Sequence, residues 1–136
     1  LNISGETRTK MSSAFVDGSD IYVAGDYNYT LVPGATGTSG GSGRISYWKN
    51  GNRTDVTTYN YLIYVSGTKI EQTRIGVYSG VVYVVVNELT YTGSLSYIVV
   101  PAYYKNGIRY DCSFAGTYSL SNNVGSGSKV NAVWVN

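Results

Sequence analysis

The chain has 136 residues and a mass of 14.7 kDa, with ten Lys and Arg, eight Asp and Glu, and no histidine. That length holds one domain with a core, assigned to residues 1–136, and is too short for two. A net charge of +2 is too small to argue for nucleic acid or an anionic membrane as a partner, and the missing histidine removes the commonest general base, the Ser-His-Asp and Cys-His nucleophile pairs and histidine-containing metal sites.

Fifteen Tyr and 17 Gly, with much Val and Thr beside few Leu, Glu and Ala, are the composition of strands and turns, so the chain is expected to be all-β. No apolar run reaches the length of about 18 residues that a spanning helix needs. In chain order, Leu1 in place of Met fits a chain trimmed by a signal peptidase. The sequons beginning at Asn2, Asn28 and Asn52 are candidate glycosylation sites of a secreted or surface-attached protein. Strands are expected near residues 11–16 and 20–26, joined by an Asp17-Gly18 turn. Asp17, Asp20 and Asp26 invite a calcium reading, but the EF-hand pattern and its final Glu are missing, and a plain turn accounts for them better. The glycine-rich run from Gly34 to Gly43 has neither a P-loop Lys nor a following helix and reads as a mobile loop.

Next comes YWKNGNRTDV, from Tyr47 to Val56, which predicts strands at 44–49 and 52–58 around Asn50-Gly51. Further strands are expected at 60–66, 68–78, 80–88 and 94–104, with turns at Ser66-Gly67 and Ser79-Gly80 and an edge or bulge at Pro101. YYKNGIRYDC, from Tyr103 to Cys112, then repeats the first hairpin around Asn106-Gly107, predicting a strand at 108–114. Lys105 falls on Lys49 at an offset of 56 residues, whereas the upstream match of Tyr83 to Tyr22 has an offset of 61. The chain therefore holds two imperfect repeats, about 12–58 and 75–113, with extra glycine-rich residues in the first. Strands at 116–120 and 129–135, with a turn at Asn122-Asn123, complete the series; KVNAVWVN puts apolar side chains on both faces of the last strand, Trp134 among them. Cys112 has no partner in the chain and is expected to be a buried free thiol.

A two-residue loop sets Trp48 opposite Arg53 and Tyr47 opposite Thr54, and in the second hairpin Tyr104 opposite Arg109 and Tyr103 opposite Tyr110. Each hairpin thus places an aromatic ring across from an arginine, a cation–π pair in the structural reading and a sugar-stacking platform in the functional one. Tyr47, Trp48, Arg53, Tyr103, Tyr104, Arg109 and Trp134 are accordingly the candidate ligand or interface residues. For catalysis, Asp17, Asp20, Asp26, Asp55, Glu71, Glu88 and Asp111 are the available carboxylates, and no spacing sets two face to face. The chain is expected to be neither an enzyme nor the carrier of a cofactor or metal.

AFVDGSDIYVAGDY followed by RISYWKNGNRTDVT resembles the repeat of certain secreted bacterial proteins, in which IFVSGxDVYVAG-type segments and a YWKNG hairpin alternate to build propeller-like blades. The resemblance covers about half the chain and brings no catalytic residue with it. It implies an antiparallel sandwich or propeller-like stack, too short at two repeats to close a propeller that needs about four blades. The expected function is an extracellular structural or adhesive β-protein, self-assembling by strand addition into a filament or surface layer, with copies of itself as partner. The alternative is a carbohydrate-binding module with glycans as ligands.

Overall fold

Asn50 (φ 49°) and Gly51 (φ 85°), like Asn106 (φ 51°) and Gly107 (φ 80°), have the two positive φ angles that a type I′ turn demands. The turn fixes the register as expected, pairing Trp48 with Arg53 and Tyr104 with Arg109. The computed structural model describes residues 7–33, 39–62, 66–93, 96–112, 116–119 and 124–126.

These residues form no helix and ten strands. β1 (Thr7–Asp17), β2 (Asp20–Pro33), β3 (Ser39–Lys49) and β4 (Asn52–Leu62) make one antiparallel meander. β5 (Ser66–Tyr78), β6 (Val81–Gly93), β7 (Ser96–Lys105) and β8 (Ile108–Asp111) make a second, and β9 (Gly116–Ser119) and β10 (Val124–Ser126) continue beyond β7. The chain is all-β, and its sheet does not close into a barrel.

Among the described residues the meanders are joined by three residue pairs, from Asn60↔Thr68 to Leu62↔Ser66, and from this corner the sheet folds back on itself. One core then fills the space between the halves: Tyr22, Ala24, Ile45 and Tyr59 from the first meet Ile75, Val77, Val84, Val86, Ala102 and Tyr104 from the second. Each large apolar side chain buried there stabilises the fold by about 1.5–3 kcal/mol. β1 also returns beside β5, where the Ile75 amide donates to Ser13 Oγ at 3.3 Å.

The glycine-rich run departs from expectation. Residues 39–43 belong to β3, and Gly40 and Gly41 are buried. A Cβ on Gly43 would stand 2.9 Å from the Tyr59 hydroxyl, so the bare glycine backbone is the seat of a buried tyrosine. Residues 52–62 form one strand where two were expected, with a bulge where Ile45 pairs with Thr57 and Ser46 with Asp55. Ser66 and Gly67 open β5 and do not form a separate turn. Pro101 lies in the interior strand β7, where it accepts a hydrogen bond from the Cys112 amide at 2.9 Å. That is the point where β7 exchanges β8 for β9 as neighbour, so the missing proline N–H interrupts no ladder. The turn at Asn122-Asn123 and the strand at 129–135, with Trp134, lie outside the described residues.

Candidate functional site

The two repeats superpose pair by pair. Tyr22↔Lys49, Val23↔Trp48 and Ala24↔Tyr47 in the first answer to Tyr83↔Lys105, Val84↔Tyr104 and Val85↔Tyr103 in the second. The equivalence extends to the leading hairpins, where Val16↔Ile21 answers to Val77↔Val82 and Ala14↔Val23 to Ile75↔Val84. We call the side carrying Tyr22 and Tyr47, or Tyr83 and Tyr103, face A, and the side carrying Val23 and Trp48, or Val84 and Tyr104, face B.

The copies turn opposite faces to the shared core. In the first, face A is inside: Tyr22 and Ala24 are buried, and Tyr47 packs against the core. In the second, face B is inside, with Val77, Val82, Val84 and Tyr104 buried. At the hairpin ends, face B of the first copy is outward, with Val16 64%, Ile21 55% and Met11 53% exposed, and so is face A of the second at Ile108, Tyr78 and Tyr110, although further along β6 and β7 that face also buries Val85, Leu89 and Val99. A shallow apolar depression of about 440 Å³ lies on the first of these faces, lined by Met11, Ile21, Val23, Trp48, Asn50 and Gly51.

On outward face B the expected ring-over-arginine contact forms, with a different ring. The Arg53 guanidinium stands 3.9 Å over Tyr27, and Trp48 meets the same Tyr27 edge-on at 6.1 Å. Between these residues lies the pair Gly25↔Ser46, almost without side chain, so the Tyr27 ring reaches diagonally where Trp48 alone was expected. Asp55 anchors the group: it takes Ser46 Oγ at 2.8 Å, Arg44 at 2.9 Å and Arg53 at 3.0 Å. Hydrogen bonds from Arg44 and then Ser46 hold its carboxyl below the usual aspartate value.

In the second copy the position of Tyr27 is taken by Glu88, and the arginine pairs with it from the rim. Arg109 Nε lies 3.1 Å from both Glu88 oxygens and Nη2 2.6 Å from Oε2, a bidentate pair on a side chain only 12% exposed. The Tyr104 hydroxyl donates to the same carboxylate at 2.9 Å, and burial raises its pKa. Tyr104 and Arg109 are therefore core and rim groups and form no cation–π platform, a correction to the expected aromatic–arginine pairing. Tyr103 keeps its outward place, stacked on Tyr110 at 5.0 Å and 10° and near Tyr83 at 6.4 Å.

Sequence reasoning missed Asn50. Besides making its turn, it donates its amide to the Ile21 carbonyl, accepts from the Ile21 amide, and donates from Nδ2 to Asp20 at 2.8 Å, latching the β3–β4 turn to the start of β2. Its identity as a turn residue hid that second task. Asp20 also pairs with Lys49 at 2.7 Å, which lowers its pKa first through that contact.

Asp26 receives the Tyr59 hydroxyl at 2.9 Å, and burial raises its pKa. Among the described residues, no three acidic or thiol side chains converge as a metal centre would require. Cys112 is half-buried rather than fully buried, its thiol pKa raised by burial. Asn52 is exposed at the mouth of its hairpin; Asn2 and the Asn28 side chain lie outside the described residues. The chain matches no family model, no curated protein and no solved structure.

Proposed function

We propose that the chain is an extracellular structural or adhesive subunit that associates with copies of itself through its sheet, in a filament or surface layer. The observation that carries this reading is the open sheet: β1 stands at one end of the strand order, and β2 is the strand it pairs with. At its outer rim the Arg74 side chain and the Ile75 amide of β5 reach Ser12 and Ser13, and the rest of that rim is where a strand from another copy, such as the apolar segment 129–135, would add. The test is light scattering with electron microscopy on the full chain and on a chain truncated before Lys129. Regular assemblies that vanish on truncation support strand addition; a monomer in both cases rejects the proposal.

A second reading, carbohydrate binding, is favoured by the parallel Tyr103–Tyr110 pair, whose exposed edge offers a flat surface for a sugar ring. A glycan array probed with the wild type and with Tyr110→Ala and Trp48→Ala decides it. Binding lost in either variant supports a lectin; no bound glycan rejects one.

A further inference from the structure

We propose that outward face B of the first repeat binds an oligosaccharide that carries a carboxylate: Trp48 lies under a sugar ring, Arg53 and Arg44 take the acid group, and Ser42, Thr58 and Asn60 take hydroxyls. The inference rests on the carbohydrate-binding reading above, but places the ligand on the first repeat and not on the Tyr103–Tyr110 pair.

Strand alternation puts these side chains on one side. Trp48, Ser46, Arg44 and Ser42 share face B of β3, and their partners Arg53, Asp55, Thr58 and Asn60 share it on β4, because the bulge between Ile45 and Ser46 restores the phase. At ~3.3 Å per residue the row from Ser42 to Trp48 runs about 20 Å, longer than one sugar ring. A depression lies at each end. The one beside Trp48 is the apolar hollow already described, which suits the C–H face of a sugar. The other, of about 390 Å³, is lined by Ser42, Gly43, Arg44, Thr58, Tyr59 and Asn60. Its face B side chains are two hydroxyls, an amide and a guanidinium, groups that pair with sugar hydroxyls.

Between the depressions, Arg53 is held ready for a ligand. Its guanidinium stands over Tyr27 at 3.9 Å while Nε donates to Asp55 at 3.0 Å. A ring beneath and a carboxylate at one edge fix the direction of the remaining N–H groups, which match a planar acid group. Arg44 is tied to the same Asp55 through Nη1, with its side chain 42% exposed. Among the described side chains that β2, β3 and β4 place on this face, the charged ones are Arg44, Arg53 and Asp55. Two cations face one anion, so the surface favours an acidic sugar over a neutral one.

The second repeat shows that the hairpin itself does not require this set. Where the first copy has Trp48, Tyr27, Arg44 and Ser42, the second has Tyr104, Glu88, Val100 and Ile98, and there Tyr104 is 5% exposed. A solvent-facing sheet calls for polar groups, but not for a tryptophan beside an arginine stacked on a second ring.

The test is a glycan array on which each carboxylate-bearing oligosaccharide is printed beside its carboxyl-reduced, neutral form. It is probed with the wild type, Trp48→Ala, Arg53→Gln, Arg53→Lys and Tyr110→Ala, each first shown by circular dichroism to keep the wild-type strand signal. The wild type is expected to bind acidic members and to lose about tenfold or more on their reduced forms. Trp48→Ala and Arg53→Gln should each lose a similar factor, and Arg53→Lys should recover only part of it, since it restores the charge without the planar fork. Tyr110→Ala should bind as the wild type does. If Trp48→Ala loses its strand signal, the two Arg53 variants carry the test. Equal binding to acidic and reduced forms overturns the proposal. Binding that falls in Tyr110→Ala and survives in Trp48→Ala and Arg53→Gln also overturns it, and leaves the carbohydrate reading standing on the second repeat. A wild type that binds no glycan overturns both.

Discussion

The hairpins Tyr47–Asp55 and Tyr103–Asp111 have the same turn, the same register and nearly the same residues, yet one shows the solvent the side that the other hides. In the first, Trp48 and Arg53 gather around Tyr27 on the outer side; in the second, Tyr104 is buried and donates to Glu88, which Arg109 caps from the rim. A hairpin's local chemistry thus sets how its strands pair and leaves open which face is buried. The fold at the β4–β5 corner decides that, because it brings two copies together face to face and so requires opposite faces of each.

The sharpest way to break this comparison is to charge equivalent positions. Val77→Lys should cost about 4 kcal/mol, since an unpaired ammonium enters the core, whereas Val16→Lys should change stability by no more than about 0.5 kcal/mol. Equal effects in urea unfolding of the two variants would refute the reversal of faces. Next in size is Gly25→Val, which gives the first copy the residue that the second has at Val86. The added Cβ would run into the Lys10 carbonyl oxygen, so about 3 kcal/mol should be lost in the same assay. Val86→Ala, its counterpart, should cost about 2 kcal/mol through an empty site rather than a crowded one.

The arginines separate the copies more finely. Arg109→Ala strands a mostly buried Glu88 carboxylate and should cost about 2 kcal/mol, against about 0.7 kcal/mol for Arg53→Ala, which loses a solvent-facing cation–π contact and a screened ion pair. Gly51→Ala and Gly107→Ala should each cost about 1 kcal/mol and resemble one another, since both positive-φ positions answer to the local turn alone. The smallest effect is one of pH. Asp55 has its folded pKa below the ordinary 3.8, so its contribution is present above that value and lost as the pH falls through it. Asp55→Asn should therefore flatten the drop in stability between about pH 5 and pH 2, followed by thermal unfolding. Asp26 has the opposite sign: burial raises its pKa, so ionising it as pH rises works against the fold.

What could be read early, and what could not, divides along the same line. Asn-Gly between β-rich runs requires positive φ twice over, and the registers of both repeated hairpins follow from that at short range. The choice of face was illegible because both sides of each hairpin carry apolar residues: Tyr22 and Tyr47 compete with Val23 and Trp48, and period-2 alternation has no polar side to mark as solvent. Alternation alone therefore sets Tyr104 beside Trp48 as a surface group, whereas it is buried. The glycine-rich run misled for a related reason: glycine signals a loop locally, while its place in β3 depends on a Tyr59 ring that pairs across from Gly43.

By itself, then, the sequence determined the all-β class, the two repeats with their unequal offsets, and the hairpin registers, because turn dihedrals and strand propensity act over a few residues. Only the tertiary structure decided which face of each repeat became core, which ring received Arg53, and which apolar side chains were left outward, because those depend on what the folded-over half of the sheet brings opposite.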